Sequence, residues 1–240
     1  DQSNQNLQFG KNIWVNDSNN AAGITLGFGF QSANYKDKNR AFTKAGENTG
    51  NSKTSQYHLG AYYSQQNADN QYVDLQTQIT SSTTKFNDVN NTSAKQSGLG
   101  LAVSAEVGKS FALGDSGFEI TPQAQFIYQN TSYKAFNDSV SSVGKQTAES
   151  LRVRAGASLK PNKAAAAPDQ LNWYTSLNVW QEVLDTPTRT VAGNEVKSNS
   201  SQKPWLELGL GLSQKLNEAS SLNAQVNLQN SLSGTQKTGA

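Results

Sequence analysis

The chain contains no cysteine, no methionine and a single histidine, His58. The lack of cysteine excludes a disulfide framework, a cysteine-ligated metal site and a thiol nucleophile. One histidine leaves almost no room for histidine-based catalysis or for a metal site built from several histidines. We therefore predict that the protein is not an enzyme, that it has no catalytic residues, and that it binds no metal and no cofactor.

Charge and long apolar runs are also scarce. Charged residues make up 16% of the 240 residues, and the net charge of +2 is too small to indicate nucleic-acid binding. No apolar run reaches the roughly 18 residues that a transmembrane helix needs. The chain has neither an initiator methionine nor a signal peptide, so we expect a processed or excised segment.

Polar uncharged residues and a period-2 alternation dominate what is present. Asn, Gln, Ser and Thr are far more frequent than in an ordinary globular domain, yet 8 Tyr, 9 Phe and 4 Trp argue against disorder. Over residues 99–107, Leu, Val and Ala alternate with Gly, Ala, Ser and Glu, which is typical of a strand with one apolar face. About ten such strands are predicted, near 6–15, 22–33, 55–65, 71–85, 94–111, 117–133, 148–160, 172–183, 204–215 and 220–232.

Short and long connections between these strands alternate. Short turns are predicted at 16–20, 66–70, 114–117 and 217–219, an intermediate link at 161–171, and long loops at 32–54, 87–93, 134–147 and 185–203. This sorting is typical of an outer-membrane barrel, with short turns on one side and long loops on the other. We therefore predict one all-β domain over 1–240, a closed antiparallel up-and-down β-barrel whose strands occupy about 6–232.

The face opposite the apolar one carries small residues and isolated charges. Such residues suit a narrow, wet lumen, although an exposed sheet face is the alternative. The charged residues on this face are Asp74, Glu106, Glu119, Arg152, Arg154, Glu182 and Glu207.

Several segments, in order, resemble the C-terminal translocator barrel of type V autotransporters. They are YHLGAYY (57–63), YVDL (72–75), LAVSAEVGKSFAL (101–113), FEITPQAQFIY (118–128), SLRVRAGA (150–157), LNVWQEV (177–183) and LELGLGL (206–212). No single segment is specific, but the ordered set is, and the resemblance spans about 7–232.

The resemblance implies a twelve-stranded, monomeric barrel in the outer membrane of a Gram-negative bacterium. It implies a lipid bilayer or detergent as surroundings, insertion by the barrel-assembly machinery, and export of a passenger whose last segment remains in the lumen. Nucleic acid is not a partner. The residues that match the family's inward pattern, and that we expect to line the pore, are Glu106, Glu119, Gln123, Gln125, Arg152, Arg154, Asn178, Trp180 and Glu207.

The strand count departs from that family pattern, because ten strands are predicted rather than twelve. Residues 7–15 resemble the second strand of the family, and residues 231–240 resemble the loop before the last strand. We therefore expect the first and last strands to be absent, and the strands near 7–15 and 220–232 to pair and close a ten-stranded barrel.

The lipid-facing side is imperfectly apolar, because Thr77, Ser81 and Thr83 share a face with Val73 and Ile79. Hydrocarbon cannot satisfy these hydroxyls. Two explanations stay open. The chain is either a divergent natural barrel or an engineered derivative, water-soluble or minimal, with no transport activity.

Three motifs invite a chemical interpretation. Gly-Asp-Ser-Gly at 114–117 matches a serine-protease string, but it is also favourable turn chemistry, and an outer-membrane hydrolase is disfavoured by the lone histidine. Some family members cut their passenger with lumen acids, whereas pairing of the lumen glutamates with Arg152 and Arg154 is the favoured alternative. Trp173 and Trp205 are predicted to lie in an interfacial aromatic girdle.

Overall fold

The computed structural model describes ten ranges of the chain. They are residues 2–16, 20–37, 47–89, 92–137, 142–162, 172–184, 188–191, 194–197, 203–217 and 220–232. Residues 233–240 and parts of the connections predicted at 16–20, 32–54, 87–93, 134–147, 161–171, 185–203 and 217–219 therefore lie outside the described residues. Within the described ranges, no helix is long and apolar enough to cross a membrane.

The described part of the chain is built of β-strands joined by turns. The strands in chain order are β1 (Gln2–Val15), β2 (Ala21–Lys36), β3 (Asn48–Gln66), β4 (Gln71–Asp88), β5 (Ser93–Lys109), β6 (Phe111–Ala112), β7 (Phe118–Tyr133), β8 (Phe136–Asn137), β9 (Ser142–Val143), β10 (Gln146–Pro161), β11 (Asn172–Glu182), β12 (Thr188–Val191), β13 (Asn194–Lys197), β14 (Trp205–Asn217) and β15 (Ser220–Ser231). Ten of them correspond to the ten predicted strands, so the period-2 signal located every main strand.

These ten strands form one antiparallel sheet in sequence order. The order is β1-β2-β3-β4-β5-β7-β10-β11-β14-β15, with the short β6 paired beside β7. Each strand pairs with the strand that precedes it in this order, which is the up-and-down connectivity that the short turns predicted. One bulge between Asn12 and Trp14 shifts the register of β1 against β2.

Closure of the barrel is not confirmed. Among the described residues β1 pairs with β2 alone and β15 with β14 alone, so the sheet is an open half-barrel. The expected pairing of the strands near 7–15 and 220–232 is absent from the part of the chain that is described. Register between those strands depends on contacts across the whole barrel, and no local alternation encodes such contacts.

The loop side of the sheet differs from the prediction in three places. Strand β2 continues to Lys36 and β3 begins at Asn48, so most of the loop predicted at 32–54 that the structure describes is strand. Strand β4 continues to Asp88 and β5 begins at Ser93, so the long loop predicted at 87–93 is a tight connection. The loops at 134–147 and 185–203 contribute β8, β9, β12 and β13, which form a separate small sheet in the order β13-β12-β9-β8. These strands are only two to four residues long, so they are too short for a sequence analysis to detect an alternation in them.

Candidate functional site on the inner face of the sheet

The two faces of the sheet differ sharply in exposure. Apolar side chains of the outer face are open, as with Leu99 at 60% and Leu177 at 56% exposed. Polar side chains of the inner face are covered, as with Asn178 at 1% and Glu207 at 7%. The sheet therefore exposes its apolar side chains and shelters its polar ones, the reverse of a water-soluble protein.

The predicted inward residues occupy one face of this sheet. Asp74, Glu106, Gln125, Arg154 and Trp180 lie in one cross-strand row, each in register with the next. A second row, one step nearer the short turns, contains Gln123, Asn178 and Glu207. Arg152 lies opposite Glu182, and Glu119 opposite Lys160. Strand register thus brings all eleven predicted residues to the same face of the sheet.

Amides, hydroxyls and carboxylates link the second row into a continuous hydrogen-bonded chain. The Tyr72 hydroxyl donates to Glu106 Oε1 at 2.6 Å and lies 3.2 Å from Gln123 Oε1. Gln123 Nε2 donates to Asn178 Oδ1 at 3.2 Å, and Asn178 Nδ2 donates to Glu207 Oε1 at 3.2 Å. Gln229 Nε2 completes the chain by donating to Glu207 Oε2 at 2.7 Å. The network therefore joins β4, β5, β7, β11, β14 and β15.

Three ion pairs neutralise most of the inner charges. Arg154 binds Glu106 through a hydrogen-bonded ion pair, and its guanidinium carbon lies 5.2 Å from the Trp180 ring centroid. Arg152 Nε lies 3.4 Å from Glu182 Oε2. The predicted pairing of inner glutamates with the two arginines is thus confirmed for Glu106, whereas Glu207 accepts hydrogen bonds from amides instead. A lysine also takes part, since Lys160 Nζ lies 2.9 Å from Glu119 Oε1.

Trp205 lies on the inner face, so its prediction as a girdle residue is wrong. Its ring stacks on that of Trp180, with centroids 6.0 Å apart and planes 4° apart. The alternation along β14 already contradicts the girdle prediction, because Trp205 lies two positions before the inward Glu207 and therefore faces the same way. Trp173 lies on the outer face, is 39% exposed and contacts Phe118, with ring centroids 5.9 Å apart and planes tilted by 57°.

Sequence reasoning also missed Tyr72 and Lys160 as inner residues. The signal was available for Tyr72, since it lies two positions from Asp74 on the same strand. Lys160 lies at the end of β10, where the alternation stops, so the sequence did not indicate which face its side chain occupies. Its pairing with Glu119 follows only from the register of β10 against β7.

The protease-like string is a turn, as predicted. Residues Gly114–Ser116 form a 3-10 turn, and Gly114 and Gly117 have positive φ angles of 54° and 75°. Backbone in that region favours glycine. His58 lies on β3, in register with Gly27 and Thr80, and is not part of this turn. Among the described residues no group of three or more side chains is arranged to hold a metal ion.

Gly156 allows β10 and β11 to approach beneath the hydrogen-bonded chain. A Cβ at this position would overlap the carbonyl oxygen of Leu177 and the side chain of Asn178, and would lie 2.8 Å from the Asn178 Cα. The clash is with backbone atoms, so a rotamer change cannot relieve it.

We expect Gly156→Ala to lower the free energy of unfolding by about 2 kcal/mol, because relief requires the two strands to separate. The measurement is equilibrium unfolding from lipid vesicles in urea. Gly10→Ala is the control. Gly10 also lies on the inner face, on strand β1, but a Cβ there would meet no atom nearer than 3.5 Å. Equal effects of the two substitutions would contradict the role assigned to Gly156.

Comparison with known proteins places the chain among bacterial membrane barrels. The family profile described as "Autotransporter beta-domain" matches residues 1–227. The beta domain of the Bordetella autotransporter BrkA is 20% identical, with a TM-score of 0.72, over 95% of this chain and 84% of that one. The translocator domain of NalP from Neisseria meningitidis is 16% identical, with a TM-score of 0.73, over 96% and 75%. No curated protein sequence matches significantly.

The similarity to these solved structures establishes the class of fold, which is the antiparallel β-sheet of outer-membrane barrels. The chain belongs to the autotransporter beta-domain family, whose barrels are outer-membrane translocators. The resemblance drawn from the ordered sequence segments is confirmed.

Proposed function

We propose that this chain forms the pore and membrane anchor through which an autotransporter passenger leaves a Gram-negative cell. It acts as a single domain over 1–240, as a monomer inserted by the barrel-assembly machinery, and catalyses no reaction. The observation that carries the proposal is the reversal of the two faces, with leucines outside and the Tyr72–Gln229 network inside.

The inner residues have a structural and lining role in this proposal. The predicted pore-lining set is Asp74, Glu106, Glu119, Gln123, Gln125, Arg152, Arg154, Asn178, Trp180, Glu182 and Glu207. Their side chains carry the donors and acceptors that a polar passenger segment needs while it crosses hydrocarbon. Glu106, Glu119 and Glu182 are held in ion pairs, which supports a wall that stays folded around cargo rather than a free catalytic acid.

We further propose that the sheet is closed into a barrel in the membrane. Unpaired N–H and C=O groups cost several kcal/mol each in hydrocarbon, and β1 and β15 each present a full row of them. Both edge strands carry exposed apolar side chains on the outer face, such as Phe9 and Leu228, so both edges lie in hydrocarbon when the outer face does.

Purification and conductance measurements test the proposal together. We expect the chain to need detergent, to float with liposomes after refolding, and to give discrete conductance steps in a planar bilayer. Discrete steps require a closed wall, so they test closure as well as pore formation.

A monodisperse chain without detergent would overturn the membrane proposal and favour the engineered, water-soluble alternative. Flotation without conductance would leave a membrane anchor but remove the pore. Hydrolysis of peptide or ester substrates by the purified chain would instead support the alternative that the protein is an outer-membrane hydrolase.

A further inference from the structure

Three lysines stand side by side on the outer face at the loop end of the sheet. Lys53 on β3 is in register with Lys85 on β4, and Lys85 is in register with Lys95 on β5. All three side chains are exposed. Lys134, just after β7, lies close by because its backbone N–H donates to the Ser97 carbonyl at 2.8 Å. We call Lys53, Lys85 and Lys95 the lysine ladder.

The outer face becomes less polar over the four rows that run from the ladder toward the short turns, and Thr77 is the one hydroxyl in the row that follows them. The next outward row is Ser55, Thr83 and Ser97, and the one after it is Tyr57, Ser81 and Leu99. The fourth row is Leu59, Ile79 and Leu101, which is fully apolar. The hydroxyls of Ser81 and Thr83, unexpected on a lipid-facing strand, are thus part of a gradient that ends at the lysine ladder.

The position of the ladder matches the edge of a bilayer. The stretch of β3 from Tyr57 to Gln65 is nine residues long, close to the roughly 9–11 residues with which a strand crosses hydrocarbon. Lys53 is the second outward residue of β3 beyond Tyr57 on the loop side, and this position corresponds to the depth of the lipid headgroups. Long loops face the cell exterior in this class of barrel, so the ladder borders the outer leaflet.

The ladder is costly without an anion. Like charges directly opposite each other on neighbouring strands destabilise a sheet. Within the described ranges, the ion pairs involve Arg152, Arg154 and Lys160, and none involves a ladder lysine. Exposed lysines next to a membrane surface are, however, stabilised by anionic lipid headgroups.

We propose that the lysine ladder binds the phosphates of an anionic glycolipid in the outer leaflet, with the hydroxyl row of Ser55, Thr83 and Ser97 contacting its sugar headgroup. The lipid's acyl chains lie along the apolar rows below. This inference rests on the proposed membrane function, because a chain in water would have no lipid at this height.

The test is native mass spectrometry of the refolded full chain in detergent micelles that contain diphosphorylated lipid A or its dephosphorylated form. We expect the unmodified chain to retain the phosphorylated lipid only. The variant K53Q/K85Q/K95Q should bind it roughly a hundredfold more weakly, from the contribution of three surface lysines. K53R/K85R/K95R, which keeps the charge, should bind as the unmodified chain does.

Lys109→Gln is the matched control, because Lys109 lies at the short-turn end with its amine 5.4 Å from the Phe111 ring. It should leave lipid binding unchanged. Equal binding by the glutamine triple variant, equal binding of dephosphorylated lipid, or displacement by inorganic phosphate would overturn the inference. A chain that enters vesicles but shows no lipid preference overturns this inference alone. One that never enters vesicles overturns the proposed function with it.

Discussion

Arg154→Met is expected to lower the free energy of unfolding by about 3 kcal/mol. The side chains of Arg154 and Glu106 are only 14% and 18% exposed, so the substitution leaves the Glu106 carboxylate sheltered without its cation. The Tyr72 hydroxyl also binds that carboxylate, so the loss extends into the hydrogen-bonded chain. Urea unfolding from vesicles, followed by tryptophan fluorescence, measures the effect, and neighbouring Trp180 reports it directly.

Arg152→Met is the control for this prediction, two residues away on the same strand and face. The Arg152 side chain is 44% exposed, so water screens its pair with Glu182 and the expected loss stays below about 1 kcal/mol. The double variant Glu106→Gln/Arg154→Met should recover part of the single-variant loss, because no uncompensated charge then remains. Equal losses in the free energy of unfolding for Arg152→Met and Arg154→Met would contradict the prediction that burial of the ion pair determines the size of the loss.

Strand positions and facing were predictable because alternation is a local property. Leu99 to Val107 identifies a strand and its two faces without any partner, and the same parity places Glu106 inside. The ion pair between Arg154 and Glu106 required more, since these residues are 48 positions apart and meet only through the register of β5, β7 and β10.

The prediction failed where alternation stops. Residues 48–54 at the start of β3 are Asn, Thr, Gly, Ser and Lys on both faces, so they were predicted as part of a loop, although their backbone pairs with β2 and β4. Main-chain hydrogen bonds extend these strands without regard to side-chain polarity. Alternation also carries no information on closure, because closure depends on β1 and β15, the two edge strands that are most distant in sequence.

Leu101→Arg is expected to lower the free energy of unfolding from vesicles by about 2 kcal/mol, whereas Ala102→Arg is expected to change it by less than about 1 kcal/mol. The two residues are neighbours on β5, but they face opposite ways. Leu101 lies in the fully apolar row with Leu59 and Ile79, inside the hydrocarbon span that runs from Tyr57 to Gln65 on β3. Ala102 lies on the inner face between Gln78 and Gln129, where a guanidinium meets amides and water.

This pair of variants separates the membrane barrel from the water-soluble alternative. A soluble sheet would leave Leu101, at 44% exposure, facing water. Exchange for arginine would then be neutral or even improve solubility, since an exposed charge in water costs little. In a bilayer the same charge must reach the interface by bending its chain or thinning the lipid, and the destabilisation follows from that distortion. The difference between the two variants, measured in the same vesicles, therefore reports the surroundings of the outer face rather than the tolerance of β5 to arginine.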